Sequence, residues 1–116
     1  MVDWLRWLLT LSALGLAMSN LASLYSVHGR HQDALVMNKK TLELRRRVLP
    51  ANHPDIGAAC VNAGACYLAA GDSHQALEIV REALRILQST LPPSHPHIQK
   101  AQQLMRRCES DAARRL

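Results

Sequence analysis

The chain has 116 residues, a length that suits one domain and excludes a second, catalytic one. Its composition, 48% apolar and 20% charged, predicts a packed protein and excludes disorder. A net charge of +5 makes an anionic partner worth testing, whereas three cysteines without paired spacing argue against a disulfide framework.

The first predicted helix covers residues 5–28 and contains a long uncharged run. The run, residues 7–25, is long enough for a short membrane anchor or a signal peptide. Arg6 beside Asp3 makes a poor basic start for a signal peptide. We therefore expect an ordinary helix of a cytoplasmic protein, with a secreted or membrane-anchored protein as the alternative.

Four more helices are predicted along the chain, at residues 31–48, 54–70, 73–90 and 96–112. Two of them start at a His-Pro pair, His53-Pro54 and His95-Pro96, because proline suits the first helical position and the residue before it suits the cap. No run of alternating β-branched residues indicates a strand. The predicted fold class is all-α.

The chain repeats itself at an offset of 42 residues. The pairs that match are Asn20 with Asn62, Tyr25 with Tyr67, Gly29 with Gly71, Ala34-Leu35 with Ala76-Leu77, and Leu49-Pro50 with Leu91-Pro92. Repetition at this period is typical of a solenoid, in which each unit buries its apolar face against the next.

The spacing of Gly64, Tyr67, Ala76 and Ala83 resembles the tetratricopeptide repeat. The segment "NLASLYSVHGRHQDALVMNKKTLELRRRVLPANHPDI" is similar to the 42-residue repeats of kinesin light chains. The resemblance implies a right-handed α-solenoid of antiparallel helix pairs: an N-terminal apolar extension (1–13), repeat 1 (14–50), repeat 2 (51–92) and a degenerate third helix that acts as a cap (93–116). Asn38 and Thr41 depart from the pattern, which weakens the core of repeat 1 or marks a polar contact.

The resemblance also implies a non-catalytic scaffold or adaptor that binds a protein or peptide on its concave surface. Asparagines at the positions of Asn20 and Asn62 line that groove in the family, and Ser19, Ser23 and Ala65 would be their neighbours. An amide both donates and accepts hydrogen bonds, which suits the backbone of an extended peptide. The alternative is that these asparagines bond between adjacent helices of the chain itself.

The sequence offers no candidate catalytic residue, metal ligand or cofactor motif. His53 and His95 are interpreted as helix starts, and Cys60 and Cys66 as small core residues of the third helix. We therefore expect no enzyme activity, no metal and no cofactor.

A second hypothesis is a basic module that binds nucleic acid or a membrane surface. It depends on five residues of the second helix, here called the basic stripe: Lys39, Lys40, Arg45, Arg46 and Arg47. The alternative is a solvated face balanced by Glu43, spaced to reach Lys39 and Arg47. Nucleic-acid binding usually needs aromatic platforms among the charges, so we expect neither nucleic acid nor membrane as partner. Self-association through Trp4 and Trp7 would compensate for the small number of repeats.

Overall fold

A computed structural model describes residues 2–115 of the chain and contains five helices in that range. They are α1 (Val2–Val27), α2 (His31–Val48), α3 (Pro54–Ala69), α4 (Ser73–Thr90) and α5 (Pro96–Arg114). Helices α1 and α2 form one hairpin and α3 and α4 a second, while α5 packs on α4 and α3. The all-α fold class is confirmed, and every helix lies within about three residues of its predicted bounds. Met1 and Leu116, which belong to the first and last predicted segments, lie outside the described residues.

The two hairpins close in the same way. Gly29 and Gly71 have positive φ angles of 76° and 88°, a conformation that glycine adopts without steric cost. In each turn the residue after the glycine donates its backbone N–H to the tyrosine carbonyl five positions earlier, at 2.8 Å for Tyr25 and 2.9 Å for Tyr67. These bonds satisfy carbonyls that the helix end would otherwise leave free.

The His-Pro pairs start α3 and α5, as predicted. Nδ1 of His53 accepts the backbone N–H of Asp55, and Nδ1 of His95 accepts that of His97, both at 3.1 Å. The prolines occupy the first turn, where no intrahelical donor is lost. Both histidines therefore cap helices, and their separation sets the repeat length.

Glycines on α3 allow α4 to approach closely. A Cβ atom at Gly64 would lie 2.5 Å from Cγ2 of Val80, and one at Gly57 would lie 2.8 Å from Leu87. At Gly15, which precedes Gly57 by one repeat, the nearest atom would be 3.9 Å away. Packing inside the first hairpin is therefore looser than inside the second.

The core is unevenly distributed along the chain. Its main cluster is built from α3, α4 and α5, with Leu42 of α2 at its edge. A smaller cluster joins Ala34, Leu35 and Cys66, with Tyr25 and Tyr67 packed against it. On α1, only Gly15 and Ala22 are fully buried among the described side chains. The second repeat and α5 thus hold most of the packing.

Helix α1 is apolar over most of its length and yet largely exposed. Residues 3–27 form the one helix of residues 2–115 that is long and apolar enough to cross a membrane, with a mean hydropathy of 1.4 over an 18-residue window. Core helices and signal sequences share that length and composition, so the property alone assigns no location. It begins ten residues before the position that corresponds to Pro54 at the start of α3, and Trp4, Trp7 and Leu9 in this overhang are 57%, 61% and 70% exposed.

Candidate functional site

The first helices of the units, α1, α3 and α5, line two cavities. The α1–α3 cavity has a volume of about 320 Å³ and is lined by Ala22, Ser23, Ser26, His31, Asn38, Asn62, Ala65, Cys66 and Ala69. The α3–α5 cavity has a volume of about 240 Å³ and is lined by Ala58, Val61, Asn62, His97 and Lys100. Asn62 belongs to both linings, so it marks the middle of one continuous surface.

Of the five predicted groove residues, three line the α1–α3 cavity: Ser23, Asn62 and Ala65. Asn20 is exposed on α1 and Ser19 is half-buried, and neither lines either cavity. Residues one repeat apart therefore have different surroundings, because within residues 2–115 α3 lies between two first helices, α1 and α5, whereas α1 has α3 as its one such neighbour.

Sequence reasoning did not place the polar residues that surround Asn62 in the groove. Asn38 and His31 line the α1–α3 cavity, and His97 and Lys100 line the α3–α5 cavity. Asn38 could have been found, because it stands where the repeat pattern places an aromatic residue. Lys100 belongs to the degenerate third unit, where the pattern gives no guide.

The buried Asn38 makes the polar contact that its departure from the pattern suggested. Its side-chain amide donates to Sγ of Cys66 at 3.0 Å, and Asn38 is 5% exposed. Thr41, the other residue that departs from the pattern, is 2% exposed, and its hydroxyl donates to the backbone carbonyl of Met37 at 3.0 Å. No buried side-chain nitrogen or oxygen within residues 2–115 lacks a hydrogen bond, so these polar substitutions are accommodated.

The amide of Asn62 is different, because it has no side-chain hydrogen-bond partner among residues 2–115. It is half-buried, so its donor and acceptor can reach a ligand that enters the groove. The bond between helices that the alternative interpretation expects for Asn20 and Asn62 is therefore absent at Asn62 among the described residues, and Asn38 is the asparagine that makes such a bond.

The three arginines of the basic stripe have partners within the protein. Nη2 of Arg46 lies 2.6 Å from Glu82, and Nη2 of Arg47 lies 3.6 Å from Glu43. Arg45 donates to the carbonyl of Asp55 at 3.0 Å.

Lys39 and Lys40 complete the stripe. Nζ of Lys39 lies 5.8 Å from the centre of the Tyr67 ring, and not on Glu43 as the sequence suggested. Lys40 is exposed. Two of the five cations thus face a carboxylate, Arg46 and Arg47, whereas the partners of Arg45 and Lys39 carry no charge. The fold therefore neutralises only part of the positive charge of the stripe.

The cysteines have a structural setting. All three are free and buried, and burial raises the pKa of the Cys60 thiol, with Glu82 acting in the same direction and Arg46 opposing it. Burial also raises the pKa of the Cys108 thiol. Since the thiolate is the reactive form, these thiols are poor nucleophiles. No group of three His, Cys, Asp or Glu side chains within residues 2–115 is arranged to hold a metal ion.

Two crystal structures of nearly identical TPR-like repeats, from a Podosopora anserina protein described as a kinesin light chain, share this fold. One superposes with a TM-score of 0.72 at 23% identity and the other with 0.66 at 21%. The matches cover 87% and 86% of this chain, but only 48% and 56% of those chains, so this chain spans about half their length. Among curated proteins, none matches the chain significantly.

The model of the tetratricopeptide repeat family matches residues 13–89. That segment includes most of both hairpins with their glycine turns, the close α3–α4 packing and the first His-Pro helix start. Repeats of this family generally mediate interactions between proteins and are not catalytic. The chain belongs to the tetratricopeptide repeat family.

Proposed function

We propose that the chain is a scaffold or adaptor module that binds an extended peptide of a partner protein along its concave surface, centred on Asn62. The observation that carries the proposal is the placement of a half-buried amide with free bonding capacity where two cavities meet. An amide that donates and accepts can pair with a peptide backbone irrespective of side chains. Affinity would come from these main-chain bonds and specificity from the two cavities.

The two cavities favour different side chains of such a peptide. The α1–α3 cavity is lined mostly by small residues and by the imidazole of His31, which suits a small or polar side chain. The α3–α5 cavity carries Lys100 and His97, which favours an acidic side chain. We therefore propose a ligand with an acidic residue on the α5 side of Asn62. The three free cysteines support a reducing, cytoplasmic setting for the module.

The experiment is a selection of random displayed peptides on the intact chain, followed by titration of the best binder. Replacing Asn62 with Leu is expected to weaken binding about 10-fold or more, because a backbone group of the peptide would lose its partner and remain desolvated. Asn20→Leu is the matched control, since Asn20 occupies the same repeat position but lines neither cavity.

Equal affinities for the wild type and Asn62→Leu would reject the groove as the binding surface. Lys100→Gln tests the polarity of the ligand separately: it should weaken acidic peptides, and the difference should shrink as salt rises. If the selected peptides are not enriched in acidic residues, the proposed preference of the α3–α5 cavity for an acidic side chain is wrong, even if Asn62→Leu weakens peptide binding.

A further inference from the structure

Helix α1 carries a row of exposed apolar side chains. We call it the α1 stripe: Trp7, Leu14, Ala17, Leu21 and Leu24, at steps of three, four and seven residues along one side of the helix. Leu14, Leu21 and Leu24 are 48%, 38% and 57% exposed. No charged residue occurs between Arg6 and His28, so nothing on the stripe opposes its burial.

The same positions one repeat later are buried. The counterparts of Leu14, Ala17, Leu21 and Leu24 are Ile56, Ala59, Ala63 and Cys66, which are 2%, 2%, 0% and 4% exposed.

Helix α2 provides much of this cover. Asn38 of α2 bonds Cys66, and Leu42 of α2 packs in the cluster that contains Ile56 and Ala59. The α1 stripe therefore has the chemistry of a surface that accepts a helix, and no helix within residues 2–115 lies on it.

The opposite end of the solenoid, α5, does not offer an apolar surface that could pack on the α1 stripe of a second copy. On α3, Gly57 and Gly64 face α4, and their counterparts on α5 are Gln99 and Arg106, both exposed. Tyr67 is likewise replaced by Glu109. This end is polar, so a second copy would bury charged groups if it stacked head to tail on the α1 stripe. Two copies can therefore cover the stripe only head to head, which gives a closed, two-fold pair.

We propose that the α1 stripe is the interface between two copies of this chain, with the two α1 helices packed antiparallel about a two-fold axis. Placing the axis between Leu14 and Ala17 sets Leu14 against Ala17 of the second copy, and Trp7 against its Leu24. Large residues then meet smaller ones, as helix packing requires.

At each end of the interface, the same arrangement brings Asp3 of one copy near His28 of the other, because the two-fold axis relates the two ends. The neighbouring Arg30 already pairs with Asp33 of its own chain at 2.7 Å, so the pairing of the copies depends on the apolar stripe.

A lipid bilayer is the competing occupant, since residues 3–27 are long and apolar enough to span one. The packing of α1 disfavours it. Gly15 and Ala22 are buried against the rest of the fold, and Leu11 and Leu16 share a cavity lining with Leu44 of α2. Insertion would require α1 to leave α2, whereas pairing leaves these contacts in place.

The test is sedimentation equilibrium of the intact 116-residue chain and two glutamate variants. The wild type is expected to dimerise. Leu21→Glu should weaken dimerisation at least about 100-fold, because each copy would bring an unpaired carboxylate into the interface. Leu9→Glu is the control: Leu9 is 70% exposed on the same helix but off the stripe, so its effect should stay within about 3-fold. Equal effects of the two variants would indicate unspecific apolar association and overturn the proposal.

A second measurement checks the orientation and the competing occupant. A short bismaleimide should link two copies of Ala17→Cys but not of Ser12→Cys, since only residue 17 lies near the two-fold axis; the native cysteines are buried. A wild type that is monomeric at all concentrations and co-sediments with phosphatidylcholine vesicles would overturn the proposal in favour of lipid. Leu21→Glu should retain any peptide binding that depends on Asn62, so the proposed interface and the proposed peptide groove can be tested independently of each other.

Discussion

Gly64→Ala tests the close approach of α3 and α4 with one added methyl group. Its Cβ would lie 2.5 Å from Cγ2 of Val80, 3.3 Å from Ile79 and 3.5 Å from Leu104. Val80 is fully buried and β-branched, so it cannot rotate away cheaply. Overpacking of this kind lowers the free energy of unfolding by about 1–3 kcal/mol, and the 2.5 Å contact places Gly64→Ala toward the upper end of that range.

The helix propensity of alanine opposes that cost. Alanine is favoured over glycine inside a helix by about 1 kcal/mol. The net loss in free energy of unfolding for Gly64→Ala should therefore be about 1–2 kcal/mol, or a fall in Tm of about 4 °C per kcal/mol for a chain of this size. Urea denaturation followed by circular dichroism at 222 nm measures it.

Gly15→Ala is the matched control. The nearest atoms to its added Cβ would be Leu44 at 3.9 Å and Arg45 at 4.0 Å, which are ordinary contacts. The propensity gain should then act alone and stabilise the protein by about 0.5–1 kcal/mol. The reasoning is refuted if Gly64→Ala is as stable as the wild type, or if the two variants shift stability in the same direction.

Three further predictions concern the caps, the thiols and the ion pairs. His53→Ala should lower the free energy of unfolding by about 1 kcal/mol in urea denaturation, because the N–H of Asp55 loses its acceptor. Cys60 should react with Ellman's reagent at pH 8 only after denaturation. Because the pKa of the Cys60 thiol is raised above its ordinary value of 9.0 in the folded protein, the unfolded protein loses this proton first as pH rises. The free energy of unfolding should therefore fall above about pH 9. Glu82→Gln should lower the free energy of unfolding, measured by urea denaturation, by less than about 1 kcal/mol, because the ion pair of Glu82 with Arg46 is partly exposed. In 1 M salt, which screens this pair, the substitution should have no effect.

Each of these has its own control. His74→Ala should leave the free energy of unfolding unchanged, because the side chain of His74 is 84% exposed. If His74→Ala were as destabilising as His53→Ala, the capping role of His53 would be contradicted. Native labelling of Cys60 as fast as in urea would contradict its burial. In Cys60→Ala the loss of stability above pH 9 should become shallower. A cost above about 2 kcal/mol for Glu82→Gln would mean that the ion pair is more desolvated than its exposure indicates.

The local features of the fold could be predicted from sequence because short stretches decide them. Pro54 and Pro96 mark helix starts, and Gly29 and Gly71 mark helix ends, whatever surrounds them. The repeat offset then placed all five helices. The division into units at residues 14–50 and 51–92 stays a prediction, since the helix bounds agree with it without testing where one unit ends.

The surroundings of each repeat position could not be predicted, because they depend on which helix lies beside it. Asn20 and Asn62 occupy the same position of the repeat, yet of the two only Asn62 lies between two first helices in the part of the chain that the structure describes. The departure at Asn38 was visible, but its partner Cys66 is 28 residues away and had to be located in space. The burial of Ile56 and the exposure of Leu14 follow the same logic.

The uneven core also has a consequence for local unfolding. Residues 3–27 of helix α1 contribute two buried residues, so α1 should open at a lower free energy than α3–α5, and its amides should exchange hydrogen fastest among the helices. Yet Ala22, Ser23 and Ser26 of α1 form one wall of the α1–α3 cavity. A peptide that touches both walls must hold α1 closed, so binding should slow amide exchange along the whole of α1, including residues far from the ligand.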